Sequence, residues 1–258
     1  MIAKANRTPL RIALGVLVPL MVIVAWQLIS VTYPVARSVM SSPYDVIREL
    51  GRGIGSGQTI HDIGWSLARA TGGWAVACIA AAPLGILMAR NSFARTVLGA
   101  PLNVLRAISP VAWIPVAILW FGIGYGSKVF IVGIVSFFVV LANTLPAAEA
   151  IDPILLKAAR TYTQSRLRIA FYVILPASIR GIAIGAQYAL ASAWGGVIVA
   201  EYTGASSGVG YQMLRASNLF LPAGVVAGMV IVAAVGYLLN LCFSKAIGSG
   251  FARRYVEH

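Results

Sequence analysis

The chain has 258 residues, 59% of them hydrophobic and only 10% charged, with a mean hydropathy of +0.86. A soluble domain carries about 25% charged residues, so the composition excludes a water-solvated globule and makes the bilayer the solvent. The net charge of +13 comes from 20 Lys and Arg residues scattered between long apolar runs, a pattern of membrane topology rather than of a nucleic-acid-binding face.

A bilayer-spanning helix needs about 20 mostly apolar residues. After Lys4, Arg7 and Arg11, residues 12–36 carry no charge. That run is too long for the apolar part of a cleaved signal and no small-x-small site follows, so it predicts a retained first span over 12–33. A long segment follows. Ser42-Pro43 starts a short helical run from Tyr44 to Leu50, and the Gly51–Gly57 stretch is expected to break it. Asp62 lies near the start of the next helix, where a carboxylate is favourable. Arg69 stands at the outer end of the second span, 68–89, where it either snorkels to the interface or joins a transport path.

The third span, 107–123, contains Pro110 and Pro115, which free backbone carbonyls and place it inside a bundle. The fourth covers 127–147. The fifth, 178–200, carries Gly181, Gly185, Ala189 and Ala193 at the spacing that lets helices approach closely. The sixth covers 221–244. Cys78 and Cys242 sit in apolar runs and read as small buried hydrophobes. His61 and His258 are the only histidines, which leaves almost nothing for His-based catalysis or a metal site. The expectation is one all-α transmembrane domain of six helices over residues 1–258, without repeats.

With the N-terminus cytoplasmic, fourteen of the twenty basic residues fall on the cytoplasmic side: Lys4, Arg7, Arg11, Arg90, Arg95, Arg106, Lys157, Arg160, Arg166, Arg168, Arg180, Lys245, Arg253 and Arg254. Arg37, Arg48, Arg52, Arg69, Lys128 and Arg215 fall outside. The bias puts both termini in the cytoplasm.

The cytoplasmic loop 149–176 is compact and basic. Asp152 can cap free amides and Pro153 is preorganised for a first helical position. Leu155, Leu156, Ala159 and Tyr162 form an apolar stripe flanked by Lys157 and Arg160, predicting a three-turn amphipathic helix. A second helix should start near Gln164-Ser165 and run into Leu175-Pro176, where Pro176 interrupts the pattern. A helix lying on lipid is one reading. The small Ala158-Ala159 pair suits a narrow protein groove better.

This stretch resembles the EAA loop of permease subunits of bacterial ABC importers, which reads Glu-Ala-Ala, three residues, Gly, nine residues, Ile, one residue, Leu-Pro. Here Lys157-Ala158-Ala159, Thr163, Val173 to Leu175 and Pro176 keep that spacing. Lys157 replaces the Glu and Thr163 the Gly. Because Thr tolerates positive φ poorly, the turn at Thr163 is expected to differ or be strained. Further stretches are similar to the taurine, alkanesulfonate and nitrate branch: Trp26-Gln27-Leu28, Ser42-Pro43, Ser66-Leu67-Ala68-Arg69, Pro110 to Pro115, Trp120-Phe121-Gly122-Ile123-Gly124, Ala200-Glu201 and Gly208-Val209-Gly210.

The resemblance implies a type I importer permease in a bacterial inner membrane, paired with a second permease copy, two ATP-binding subunits and a periplasmic substrate-binding protein. ATP and Mg would bind the partner subunits and no cofactor this chain, which has no Gly-x-x-x-x-Gly-Lys-Ser/Thr phosphate loop. Asp152, Leu155, Leu156, Lys157, Ala158, Ala159, Arg160, Tyr162, Thr163, Leu175 and Pro176 would couple to the ATPase, so that Ala159→Asp is expected to uncouple hydrolysis from transport.

Polar and aromatic residues in the spans are candidate path lining: Trp113, Trp120, Ser136, Asn143, Gln187, Ser192, Trp194 and Asn240. Each has interhelical bonding as its plainer reading. Glu201, one of only seven acidic residues, ends the fifth span and reads either as a transport residue or as a salt bridge to Arg69 or Arg215. The resemblance implies an anionic solute; with no cation deep in a span it would find no fixed countercharge at the midplane, so selection is expected to rest on the delivering protein. Taurine or another sulfonate comes first; nitrate, bicarbonate and aromatic or pyrimidine precursors remain open. An intramembrane protease would need a base near Ser136, and none is in reach. A channel or secondary transporter would need no ATPase.

Overall fold

The computed structural model describes residues 7–33 and 41–249. Lys4, Arg37, Arg253, Arg254 and His258 lie outside them. The elements formed by the described residues are all helical: α1 (Arg7–Thr32), α2 (Pro43–Gly55), α3 (Gln58–Arg90), α4 (Ser92–Ala107), a 3₁₀ turn (Pro110–Trp113), α5 (Ile114–Phe121), α6 (Tyr125–Glu149), α7 (Pro153–Tyr162), α8 (Arg166–Ile169), a π turn (Ala170–Ile174), α9 (Leu175–Glu201), α10 (Val209–Asn218) and α11 (Pro222–Ser249).

Four stretches are long and apolar enough to cross a membrane unbroken: α3, α6, the run Arg166–Glu201 and Pro222–Ile247 in α11. In α1 a shorter apolar segment covers Leu20–Thr32. The expected third span is not a straight rod. Ser92–Ala107 and Pro110–Phe121 form a pair bent by 97°. The cause is local: Pro110 drives the residue before it out of the helical region, and Ile108 and Ser109 are extended, with ψ of 123° and 138°. Two other expectations shift. The second span's helix starts ten residues early, at Gln58, and Gly51 to Gly55 continue α2 instead of breaking it.

The chain divides into two compact units, one within Met1–Ile60 and Gln212–Ile231, the other within His61–Tyr211 and Val232–His258. In the first, α2 packs on α1, and Ser42 and Asp45 form a reciprocal capping box that fixes where α2 begins.

In the second, α6 and α9 run against each other. A Cβ on Gly185 would stand 2.8 Å from the Asn143 Cβ, and Ala189 and Ala193 on the same stripe are fully buried. The small residues thus do what their spacing predicts: they bring two backbones together where lipid gives no hydrophobic drive. Trp194 and Val197 fill one core with Ala70 and Val132, and Met88, Val140 and Leu141 fill another with Ala81. Gly122 takes φ +70° after α5, so the Trp-Phe-Gly-Ile-Gly stretch serves to turn the chain into α6.

Candidate functional site

At the EAA-like loop the sequence sets the start of α7 as expected. The Asp152 carboxylate accepts from the Ile154 N–H at 2.7 Å, with Pro153 in the first turn. Ser165 caps α8. Thr163 is not strained: its φ of −155° and ψ of 139° are ordinary extended backbone, and its hydroxyl accepts from the Ser165 N–H at 3.3 Å. No left-handed residue is needed at this turn, so Thr fits and adds a hydrogen bond.

The amphipathic stripe divides into two faces. Leu156 and Ala159 pack inward on buried Ile151, Ile169 and Ile174. Ile154, Leu155, Lys157, Ala158, Arg160 and Tyr162 face out, Tyr162 with 91% of its surface free. Ile154 was not singled out by the sequence, because an apolar residue in a first turn gives no sign of its direction. Ala159 therefore belongs to the loop's own core, and Ala159→Asp would damage the loop rather than probe its outer contacts.

Beyond α8 the backbone does not break at Pro176. It widens into the π turn, where the Leu175 N–H reaches back to the Ala170 carbonyl, and continues as α9. The wider turn makes room for a proline ring that would strike the carbonyl four residues back in a regular helix. Leu175 and Pro176 are half-buried in the first turn of α9.

At the far end of α9 lies a buried polar cluster. The Arg69 guanidinium donates to the Glu201 carboxylate at 2.6 Å, to the Ser207 carbonyl at 2.7 Å and to the Ser207 hydroxyl at 2.9 Å. Ser66 donates to the same carboxylate at 2.8 Å and accepts from the Val209 N–H at 2.9 Å. The Gly210 N–H donates to Glu201 at 2.9 Å, and the Gly208 N–H to Asp62 at 2.7 Å. Asp62, Ser66 and Glu201 are fully buried and Arg69 nearly so.

The cluster joins three stretches that the sequence had flagged separately: Ser66 to Arg69, Ala200-Glu201 and Gly208 to Gly210. Of the two partners proposed for Glu201, the structure supplies Arg69. Arg69 is paired within the protein instead of snorkelling. Asp62 is a buried acceptor of α3, four residues into the helix, and was missed as a member of this site. Its signal was present, since positions 62, 66 and 69 share one helical face. Lys128 is likewise buried, 2% exposed, and its ammonium donates to the Gly204 carbonyl at 3.2 Å.

The candidate path residues separate. Ser136 donates to the Ala189 carbonyl, Asn143 to Val139, Ser192 to Tyr188 and Trp194 to Val232, all helix backbone. Gln187 and Asn240 bond each other across α9 and α11 at 2.9 Å, with Asn240 and Tyr188 exposed. Trp113 and Trp120 instead gather edge-on around Phe130 and line a cavity of about 640 Å³ with Phe121, Phe137 and Phe138. That lining is almost wholly apolar and holds no charged residue.

Comparison with known proteins agrees with this geometry. Residues 81–253 match the family described as binding-protein-dependent transport system inner membrane component. A protein named as an ABC transporter permease from Methanocaldococcus jannaschii is 31% identical over 89% of this chain and 87% of its own length. One named as the aliphatic sulfonates transport permease SsuC of Bacillus subtilis is 32% identical over 88% and 82%. One named as the nitrate import permease NrtB of Leptolyngbya laminosa is 29% identical over 78% and 73%. Among solved structures, the inward-facing MetNI methionine ABC transporter superposes with a TM-score of 0.66 at 18% identity, over 74% of this chain and 94% of that one. The chain belongs to the inner-membrane component family of binding-protein-dependent transport systems, and is a multi-pass ABC importer permease, a transport subunit and not an enzyme.

Proposed function

We propose that this permease forms, with a second copy of itself, the path for a small sulfonate, and that two ATP-binding subunits grip it by the outward face of α7. ATP and Mg are bound by those subunits, and a periplasmic binding protein delivers the solute. Both termini lie in the cytoplasm. The observation that carries the docking assignment is the division of α7: one face builds the loop's core while Ile154, Leu155, Ala158 and Tyr162 stand free beside Lys157 and Arg160. A partner groove that takes up this face pulls on a continuous run of helix from Arg166 to Glu201, and a rigid-body shift of packed helices opens the path.

The Gln187–Asn240 pair with Tyr188 is the best candidate for a wetted wall, because polar groups at an outer surface are costly against lipid. The wall has hydrogen-bond donors and no charge, which suits weak, transient contact with an anion selected elsewhere. The sulfonate assignment rests on similarity to SsuC across most of the chain. Uptake by cells expressing the chain with its ATPase and binding protein tests it, using labelled taurine, ethanesulfonate and nitrate. Sulfonate accumulation is expected. Nitrate uptake without sulfonate uptake replaces the reading with a nitrate importer.

A further inference from the structure

We propose that α2 is an interfacial membrane helix, lying in the headgroup–acyl boundary at the end of the bilayer where α1 terminates. Three observations carry this. First, α2 has an apolar edge that no described residue of its own unit covers: Tyr44, Ile47 and Ile54 are exposed, Ile47 by 67%. With Gly51 they fall at i, i+3, i+7 and i+10, one line along a helix. Val46, on another face, is buried.

Second, the charges border that edge or lie across the helix from it. Arg48, Glu49 and Arg52 flank the edge, with Arg52 and Glu49 paired at 2.7 Å and exposed to 61% and 39%. Arginines beside an apolar edge can reach phosphate headgroups while their stems lie along the acyl region.

Third, the depth is set by a bond within the same unit. The Trp26 indole N–H donates to the Ser41 carbonyl at 3.0 Å, and Ser41 holds φ +53° to make the turn into α2. Trp26 stands six residues before the end of α1 at Thr32, so at 1.5 Å per residue α2 starts about 9 Å inside the end of the span. Amphipathic helices lie about 5–10 Å into this boundary, and Trp and Tyr collect there. The neighbours of Tyr44 and Ile47 at that level are lipid.

Nitroxide accessibility in the full chain, assembled with its partners in phosphatidylethanolamine–phosphatidylglycerol vesicles, tests the proposal. Cys78 and Cys242 are first replaced by Ser, and single labels are placed through Ile47→Cys, Ile54→Cys and Glu49→Cys. Labels at 47 and 54 should favour oxygen over a nickel chelate, and the label at 49 the chelate. If assembly fails with a label at 47, Tyr44→Cys takes its place. Two outcomes overturn the proposal: chelate access at 47 and 54 equal to that at 49, which puts the edge in water, or immobilised labels shielded from both agents, which puts it against a second copy or the binding protein. Neither outcome bears on the importer assignment.

Discussion

Gly208 and Glu201 share one volume. A Cβ on Gly208 would fall on the Glu201 carboxylate, and the residue also takes φ +117°. The turn from α9 into α10 therefore depends on a glycine for two reasons, steric room for a buried acid and a backbone region that side chains disfavour. Gly208→Val should destabilise the folded permease by at least ~1–3 kcal/mol from the backbone alone. The readout is the thermal unfolding midpoint in detergent. An unchanged midpoint would mean that the turn adapts and the cluster is not rigid.

Removing one member of the ion pair leaves the other buried and uncompensated, at a cost of about 3–5 kcal/mol. Arg69→Met and Glu201→Gln should each lower stability, and the double variant should lose less than their sum. If Glu201→Gln keeps full stability yet abolishes uptake, Glu201 acts on the solute and not as a fastening.

The two faces of α7 predict opposite behaviour for neighbouring alanines. Ala158→Asp should leave the permease folded and membrane-inserted while weakening ATPase co-purification and uptake by tenfold or more, the effect of about 1.4 kcal/mol. Ala159→Asp, which buries a carboxylate among Ile151, Ile169 and Ile174, should instead reduce the amount of folded protein. Equal loss of folding in both would remove the distinction drawn between the faces.

Lys157, Arg160, Arg166 and Arg168 are all exposed around this loop, so the groove that receives it should be acidic. Lys157→Glu should weaken the ATPase complex, more at low ionic strength than at 0.5 M salt, since exposed charges are screened. A salt-independent effect would point to packing at Lys157 rather than charge.

Close helix contact at Gly185 gives a steric contrast with Gly195, whose Cβ would meet nothing within 4 Å. Gly185→Leu should cost ~1–3 kcal/mol or more through overpacking, while Gly195→Ala should stabilise by up to ~1 kcal/mol, since it relieves a mid-helix glycine without a clash. Thermal midpoints of the two variants decide it.

The sequence was most legible where local chemistry determines structure. Asp152-Pro153 can only begin a helix, and Gly181 to Ala193 can only invite a neighbour. It was least legible where the answer depends on distant partners. Nothing local says that Asp62 meets the Gly208 amide 146 positions away, or that Lys128, a surface charge by composition, lies buried. The prolines of the third span did signal disruption, and the break follows from Pro110, but their spacing alone does not give the 97° by which the two halves are bent. Glycines 51 to 55 read as a breaker, but a capping box and the packing of Val46 hold the helix through them.

The π turn at 170–174 fixes an angular phase. A widened turn inserts one residue into the helical count, so everything beyond it is rotated by roughly 100° relative to an unbroken helix with 3.6 residues per turn. The bearing of α7 and α8 against Glu201 is thereby written into the length of five residues. Deleting Phe171 or Tyr172, both exposed, would leave the loop's core residues in the chain and turn the two ends of the rod relative to each other by roughly 100°.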